Sequence, residues 1–268
     1  MRRERDEVYR GTDGGGVRLA GGAAQWRLYA DRVDLAPGAV GDRRVRIDAE
    51  LLPVVVDLDA TALVLLDLQN DFCSPGGWTQ RSGLDHTACR AAVPGAVRAV
   101  EAARRLGVPV VWVYWHNRPD LRNLGAPTLY SFKHRPDQAG IGEPLDHGPV
   151  LTEGSWGATL VDELAELVRP EDVQVEKYRM SGFEATHLDQ VLRAQGIDTL
   201  LFGGVNTDQC VTTTMEDAYF RDYAAILLTD ATATSSPSWC KDTVVFNAQQ
   251  CWGFTTDTAR LADPRAEP

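Results

Sequence analysis

The chain has 268 residues, enough for one large α/β domain or for a domain of roughly 200 residues plus an extension. Its 27 basic and 38 acidic residues give a formal charge of −11, which argues against nucleic acid or an anionic membrane as the main partner. No apolar run approaches the ~18–20 residues of a membrane span, and the opening MRRERDEVYRG is not followed by the apolar core of a secretory signal.

In chain order, residues 1–60 read as an N-terminal extension. Gly14-Gly15-Gly16 and Gly21-Gly22 break any helix, and about the first 20 residues read as a poorly ordered tail. From Trp26 onward, short alternating pieces (Val45 with Ile47, Val54 with Val56) predict an arm packed on the body or on a neighbouring subunit. The body, 61–268, begins with Ala62-Leu63-Val64-Leu65-Leu66, a continuous apolar run of the kind found in a strand covered on both faces. Pro94 to Leu106 predicts a helix, with Pro in its first turn and Gly107 past its end. Val108–Tyr114 predicts a second strand. Residues 115–157 are rich in Pro, Gly, His and aromatics without periodicity, which marks a working loop.

Leu160–Leu167 predicts a short helix and Val173–Val175 a third strand, ending at Glu176-Lys177-Tyr178. Thr186 and Asp189 form a capping box for the next helix, closed by Gly196. Thr199–Phe202 predicts a fourth strand, Gly203-Gly204 a tight turn, and Cys210 falls near the start of a helix with apolar residues at Val211, Met215, Ala218 and Tyr219. Thr207 or Asp208 is expected to cap that helix. A fifth strand (Ala224–Leu228), a helix from about Pro237 to Gln250 and an edge strand at Gly253–Thr255 complete the chain. Strand alternating with helix predicts a mostly parallel sheet with helices on both faces.

Ligands of such sheets bind beyond the carboxyl ends of the strands. Asp67 ends the first strand, Lys177 the third, and Cys210 follows the fourth, so the topology gathers three chemically capable residues at one rim. A carboxylate beside a thiol can take its proton and return it to a leaving amine. An ammonium favours both the thiolate and the ionised carboxylate, as does a helix N-terminus for the thiolate. Backbone N–H groups around Asn206 and Cys210 can hold an oxyanion. The alternatives are a buried structural cysteine, a turn-capping Asp67 and a solvated Lys177. Phe72, Trp78, Trp115, Tyr130 and Tyr178 fall on the same edge and suggest an aromatic pocket, with core or interface packing as the rival account. Gln69 and Asn206 suit an amide or ureido group, and Arg179 suits a substrate carboxylate or a structural ion pair. Five cysteines form no framework spacing and predict a reduced, cytoplasmic protein; Cys89, Cys240 and Cys251 read as small apolar residues on helices, and nothing makes Cys73 a second nucleophile.

LLDLQNDFC (65–73), EKYRMSGFEAT (176–186) and GGVNTDQCV (203–211) resemble the three signatures of the isochorismatase-like cysteine hydrolase superfamily. The resemblance spans about residues 60–258 and implies a Rossmann-like three-layer α/β/α sandwich. It implies a catalytic triad of Asp67, Lys177 and Cys210, an oxyanion hole at Asn206 and Cys210, and a non-proline cis peptide at Val205-Asn206. GSW (154–156), LVDEL (160–164) and the DAT of 230–232 look closest to ureidoacrylate amidohydrolases, with biuret and N-carbamoyl amide hydrolases also similar. The implied activity is cleavage of a C–N bond in a small linear amide or ureido compound through a thioester. A substrate pocket of Gln69, Phe72, Trp115, Tyr178 and Arg179 and a homo-oligomer are expected with it. Nicotinamidases bind a metal through Asp-x-His and a second His; here that place reads Tyr114-Trp115-His116 with Asp120, so no metal and no cofactor is expected. True isochorismate hydrolases lack the nucleophilic cysteine. A metal-assisted hydrolase using His116, a nicotinamidase-like or isochorismatase-type hydrolase, and a non-catalytic binding or scaffold protein are the alternatives.

Overall fold

A computed structural model describes residues 9–11, 15–19, 25–38 and 43–267. Its centre is a six-stranded sheet in the order β3-β2-β1-β4-β5-β6. The strands are β1 (Thr61–Leu66), β2 (Val110–Trp115), β3 (Val173–Lys177), β4 (Thr199–Val205), β5 (Ala224–Ala233) and β6 (Phe254–Thr256). Every neighbouring pair is parallel. The apolar character of the central strands explains this: every residue of β1 and β4 is buried, as strands covered on both faces must be. The covering layers include α1 (Val93–Leu106), α2 (Leu188–Ala194), α3 (Thr212–Tyr219) and α4 (Ser238–Asn247). The result is the three-layer α/β/α fold that the sequence predicts. Strand order runs outward from β1 in one direction and from β4 in the other, so the crevice between their carboxyl ends is the switch point where such folds bind ligands.

Several local expectations are corrected. Gly203-Gly204 is not a turn: β4 runs through it to Val205. Gly204 sits at φ +122°, and a Cβ there would lie 2.1 Å from the Leu66 carbonyl oxygen, so glycine here serves close strand approach rather than chain reversal. The helix expected over 160–167 is only Asp162–Ala165. His187 precedes α2, while the Thr186 hydroxyl accepts from Leu188 N and Asp189 accepts from the Tyr223 hydroxyl, so the capping box is incomplete. The stretch 115–157 contains a helix, Ala126–Ser131, and a small hairpin of Pro144–Leu145 with Gly148–Pro149.

The expected tail falls partly on residues 1–8, 12–14 and 20, outside the described residues; the rest of it includes the paired strands Tyr9–Gly11 and Val17–Leu19. These open a second, mostly antiparallel sheet, continued by Trp26–Leu28, Val33–Asp34, Val54–Asp57 and Arg44–Ile47, and closed by the distant Arg265–Ala266. It packs on the body. Trp26 meets Phe254 at 6.0 Å, Thr256 Oγ1 donates to the Asp48 carbonyl at 2.6 Å, and Ile47, Val54 and Val56 join the same buried cluster as the central sheet.

Candidate active site

Asp67, the first residue beyond β1, adopts φ +55°, a left-handed conformation that Asp tolerates better than most side chains. Its N–H bonds the Val113 carbonyl at 2.8 Å, which fixes the residue at the carboxyl end of β1 against β2. Lys177 ends β3 in register with Trp115 of β2 and reaches across the Trp115 ring, its Nζ 3.9 Å from the ring centroid. The ammonium stands 3.0 Å from Asp67 Oδ2, 3.3 Å from Cys210 Sγ and 3.1 Å from the Arg179 carbonyl. Asp67, Lys177 and Cys210 are 1%, 0% and 4% exposed. The three residues gathered from separate strands therefore meet, out of bulk water.

Cys210 does not open an ordinary helix. It lies in a π-helical turn, Thr207–Val211, that leads into α3; such turns recur at functional sites. Asn206 precedes this turn and its side chain does not cap it. Thr207 and Asp208, expected as caps, instead bond Thr232 and Thr234 at 2.9 and 2.5 Å. The Val205-Asn206 peptide is cis, as the resemblance implies. The Asn206 carboxamide is committed to the protein: its oxygen accepts from Ser235 N at 3.0 Å and the Cys89 thiol at 3.1 Å, and its nitrogen donates to Gln209 at 3.3 Å.

Electrostatics at the cluster depart from the expectation of a resting thiolate. Burial pushes the Cys210 thiol up to about 12, and the Asp67 charge adds to that, while Lys177 and Trp115 pull the other way. Burial also raises the Asp67 carboxyl, opposed chiefly by Lys177. Desolvation penalises any charged form, and here it outweighs the pull of Lys177 and Trp115, so the sulfur rests as a thiol beside a carboxylate that holds protons more readily than usual.

The remaining predicted residues divide. Gln69 is fully buried and donates both amide hydrogens, to the Trp115 and Ala158 carbonyls at 2.7 Å each, and accepts from Trp115 N at 2.9 Å. It clamps β2 and has no free hydrogen for a substrate. Phe72 packs edge-on against Trp78 at 6.3 Å, and Trp115 and Trp78 each lie 5.1 Å from Phe132. Tyr130 is exposed against His134. The Tyr178 hydroxyl reaches Glu176, and Arg179 donates to the Asn123 and Tyr178 carbonyls at 3.1 and 2.6 Å. His116 pairs with Glu176 at 2.6 Å, and Arg118 holds Asp120 through two bonds, lowering its carboxyl to about 2. Among the described residues no three His, Cys, Asp or Glu side chains are placed to hold a metal. Cys251 is exposed, against the expectation of an apolar helix residue.

Sequence reasoning missed Met180, whose sulfur is 3.7 Å from Cys210 Sγ, and the Cys89–Ser235 grip on Asn206. It also missed Asp71, buried and accepting from Trp78 N at 3.0 Å and Leu151 N at 2.7 Å. Only Asp71 had a signal, its place in the Gln69-Asn70-Asp71 run after the first strand.

A doubly wound parallel sheet with a thiol, an ammonium and a carboxylate at its switch point defines a Rossmann-like α/β/α protein of the cysteine hydrolase type. The chain belongs to the isochorismatase family: the family model described as Isochorismatase domain matches residues 61–260. Ureidoacrylate amidohydrolase RutB of Methylorubrum extorquens is 34% identical over 224 residues, covering 80% of this chain and 86% of that one. RutB of Azorhizobium caulinodans is 34% identical over 208 residues, covering 77% and 91%. A cysteine hydrolase from Pseudomonas syringae pv. phaseolicola superposes with a TM-score of 0.64 at 25% identity, covering 77% of this chain and 94% of that one. N-carbamoylsarcosine amidase from Thermoplasma acidophilum does so with a TM-score of 0.53 at 27% identity, covering 74% and 96%.

Proposed function

We propose that this chain is a hydrolase of non-peptide carbon–nitrogen bonds that cleaves a small linear amide or ureido compound with Cys210 as nucleophile. The observation that carries the reading is the contact of one buried ammonium with both partners, Lys177 Nζ lying 3.0 Å from Asp67 and 3.3 Å from Cys210. The names of the RutB and N-carbamoylsarcosine amidase relatives support the ureido class.

Because the thiol rests protonated, attack and deprotonation are coupled. The Sγ proton passes to Asp67 as sulfur bonds the substrate carbonyl carbon. The oxyanion is met by the backbone N–H groups of Asn206 and Cys210. Asp67 then gives its proton to the leaving nitrogen as the C–N bond breaks, leaving a thioester. Water adds to that carbonyl, its proton going to Asp67, and the C–S bond breaks with the proton returned to sulfur. Lys177 holds the carboxylate ionised until the thiol needs it. Trp115, Tyr178 and Phe72 wall the substrate, and Arg179, whose Nη1 donates to the Asn123 and Tyr178 carbonyls, offers its remaining N–H groups to a substrate carboxylate. The free cysteines Cys73, Cys89, Cys210, Cys240 and Cys251 suit a reducing cytoplasm, and the exposed Phe220, Trp239 and Phe246 suit assembly of like chains.

The test is ammonia release from ureidoacrylate, biuret, N-carbamoyl amino acids and nicotinamide. Turnover is expected with a ureido compound and is expected to vanish in Cys210→Ala with the fold retained. Hydrolysis persisting in that variant would refute the reading.

A further inference from the structure

Trp115 occupies a position that core packing does not explain. It ends β2, between the ends of β1 and β3, so the ring lies under the Lys177 ammonium that bridges them. Its backbone is pinned on both sides by the Gln69 amide, and Phe132 meets the ring edge-on at 5.1 Å. The indole is therefore fixed. It is also fully buried, and its Nε1–H has no hydrogen-bond partner. A buried donor left unpaired is costly. Phenylalanine would fill a purely apolar role without that cost.

The same ammonium that lies 3.9 Å from the centre of this ring touches the Cys210 sulfur at 3.3 Å, and Trp115 is among the groups that favour the ionised sulfur. A neutral thiol is a weak acceptor, whereas a thiolate is a strong one. The ammonium above the ring draws electron density from it and sharpens the indole N–H as a donor.

We infer that the Trp115 indole N–H is a donor held in reserve for the Cys210 thiolate, which makes Trp115 a catalytic residue and not only a pocket wall. The donor is unmatched while sulfur carries its proton and matched once the proton has passed to Asp67; Trp115 keeps its own hydrogen throughout. The charged groups facing the sulfur are Asp67, which resists the thiolate, and Lys177, which favours it; Trp115 works with Lys177.

The inference rests on Cys210 as nucleophile, but its test does not require the substrate. Alkylation of Cys210 by iodoacetamide is followed by peptide mass mapping at several pH values below the thiol's pKa, where the rate tracks the thiolate fraction. Trp115→Phe keeps a ring under Lys177 and removes the N–H. The expected result is alkylation about tenfold slower, as for a pKa raised by roughly one unit, with kcat reduced and KM nearly unchanged. A merely structural role predicts the opposite sign, because trimming a covering side chain opens access to sulfur. Alkylation equal to or faster than in the parent overturns the inference.

Should Trp115→Phe fail to fold, the parent chain grown with 5-fluorotryptophan decides. The rings keep their shape with a more acidic N–H, and alkylation is expected about twofold faster; an unchanged rate overturns the inference. Slower alkylation in Trp115→Phe together with no ureido hydrolysis by the parent would leave the indole assignment standing and remove the proposed activity.

Discussion

In the parallel sheet, Asp67 and Lys177 form an ion pair at 3.0 Å with no side-chain exposure on either partner. In the N-terminal sheet the pairs lie progressively further out: Arg44–Asp34 at 2.8 Å has side chains 17% and 6% exposed, and Arg265–Asp48 at 2.9 Å has them 70% and 44% exposed. The distances are nearly equal, so the pairs differ in surroundings rather than in geometry. Removing one partner of a buried pair strands the other charge in a medium that cannot solvate it, whereas water replaces a lost partner at the surface. One sheet keeps charges where they are expensive and reactive; the other keeps them where they tune little.

The largest effect is expected at the sealed pair. Lys177→Met leaves Asp67 buried without its cation and should cost about 3–5 kcal/mol in urea unfolding, with turnover lost. Adding Asp67→Leu should recover much of the stability and none of the activity. If the single variant unfolds like the parent, the crevice is wetter than its burial indicates and the contrast between the sheets collapses.

Asp67 also sets a pH signature. Burial raises its carboxyl above the ordinary 3.8, and the proposed base works only when ionised, so the acid limb of kcat/KM should lie above the usual aspartate range. The stability contribution has the opposite sense. A folded-state pKa above the unfolded one means that the native state binds the proton more tightly, so this group's contribution is full below 3.8 and is lost as pH rises through its folded value. An acid limb at or below 3.8 would contradict the raised carboxyl.

Much of the contrast was legible in the sequence. The apolar runs at the heart of β1 and β4 announce a sheet buried on both faces, and the topology that follows places Asp67, Lys177 and Cys210 at one rim. The alternation of Val45 with Ile47 and Val54 with Val56 announces an arm, not the sheet that it joins. The closure of that sheet by Arg265–Ala266 is a pairing across the whole chain, which no local pattern encodes. Gly203-Gly204 was misread because a glycine that permits close strand contact looks the same in sequence as one that permits a turn. The protonated thiol was missed for a related reason: charge neighbours follow from topology, but the degree of desolvation depends on how closely Trp115, Met180 and the π turn pack around sulfur. The significance of Trp115 comes from its register with Lys177, which the apolar pattern of β2 leaves open.

The N-terminal sheet supplies an intermediate case. Asp34 also accepts from Ala36 N at 3.1 Å, so Asp34→Ala removes an ion pair and a turn hydrogen bond from a site that is largely dry. A loss of about 1–3 kcal/mol is expected, with turnover per folded molecule unchanged.

The smallest effect should come from Arg265–Asp48, which spans the final strand and the residue after Arg44–Ile47. Its position makes it look like a latch holding the chain's end to the arm. Exposure argues against that: both partners remain hydrated when separated, and ordering two solvent-facing side chains costs entropy that offsets the Coulomb gain. A double-mutant cycle with Arg265→Ala and Asp48→Ala should give a coupling below about 0.5 kcal/mol that shrinks further as salt is raised. Coupling several times larger would mean that the strand pairing depends on this bridge, and then the outer sheet too would hold a charge pair that organises structure rather than decorating it.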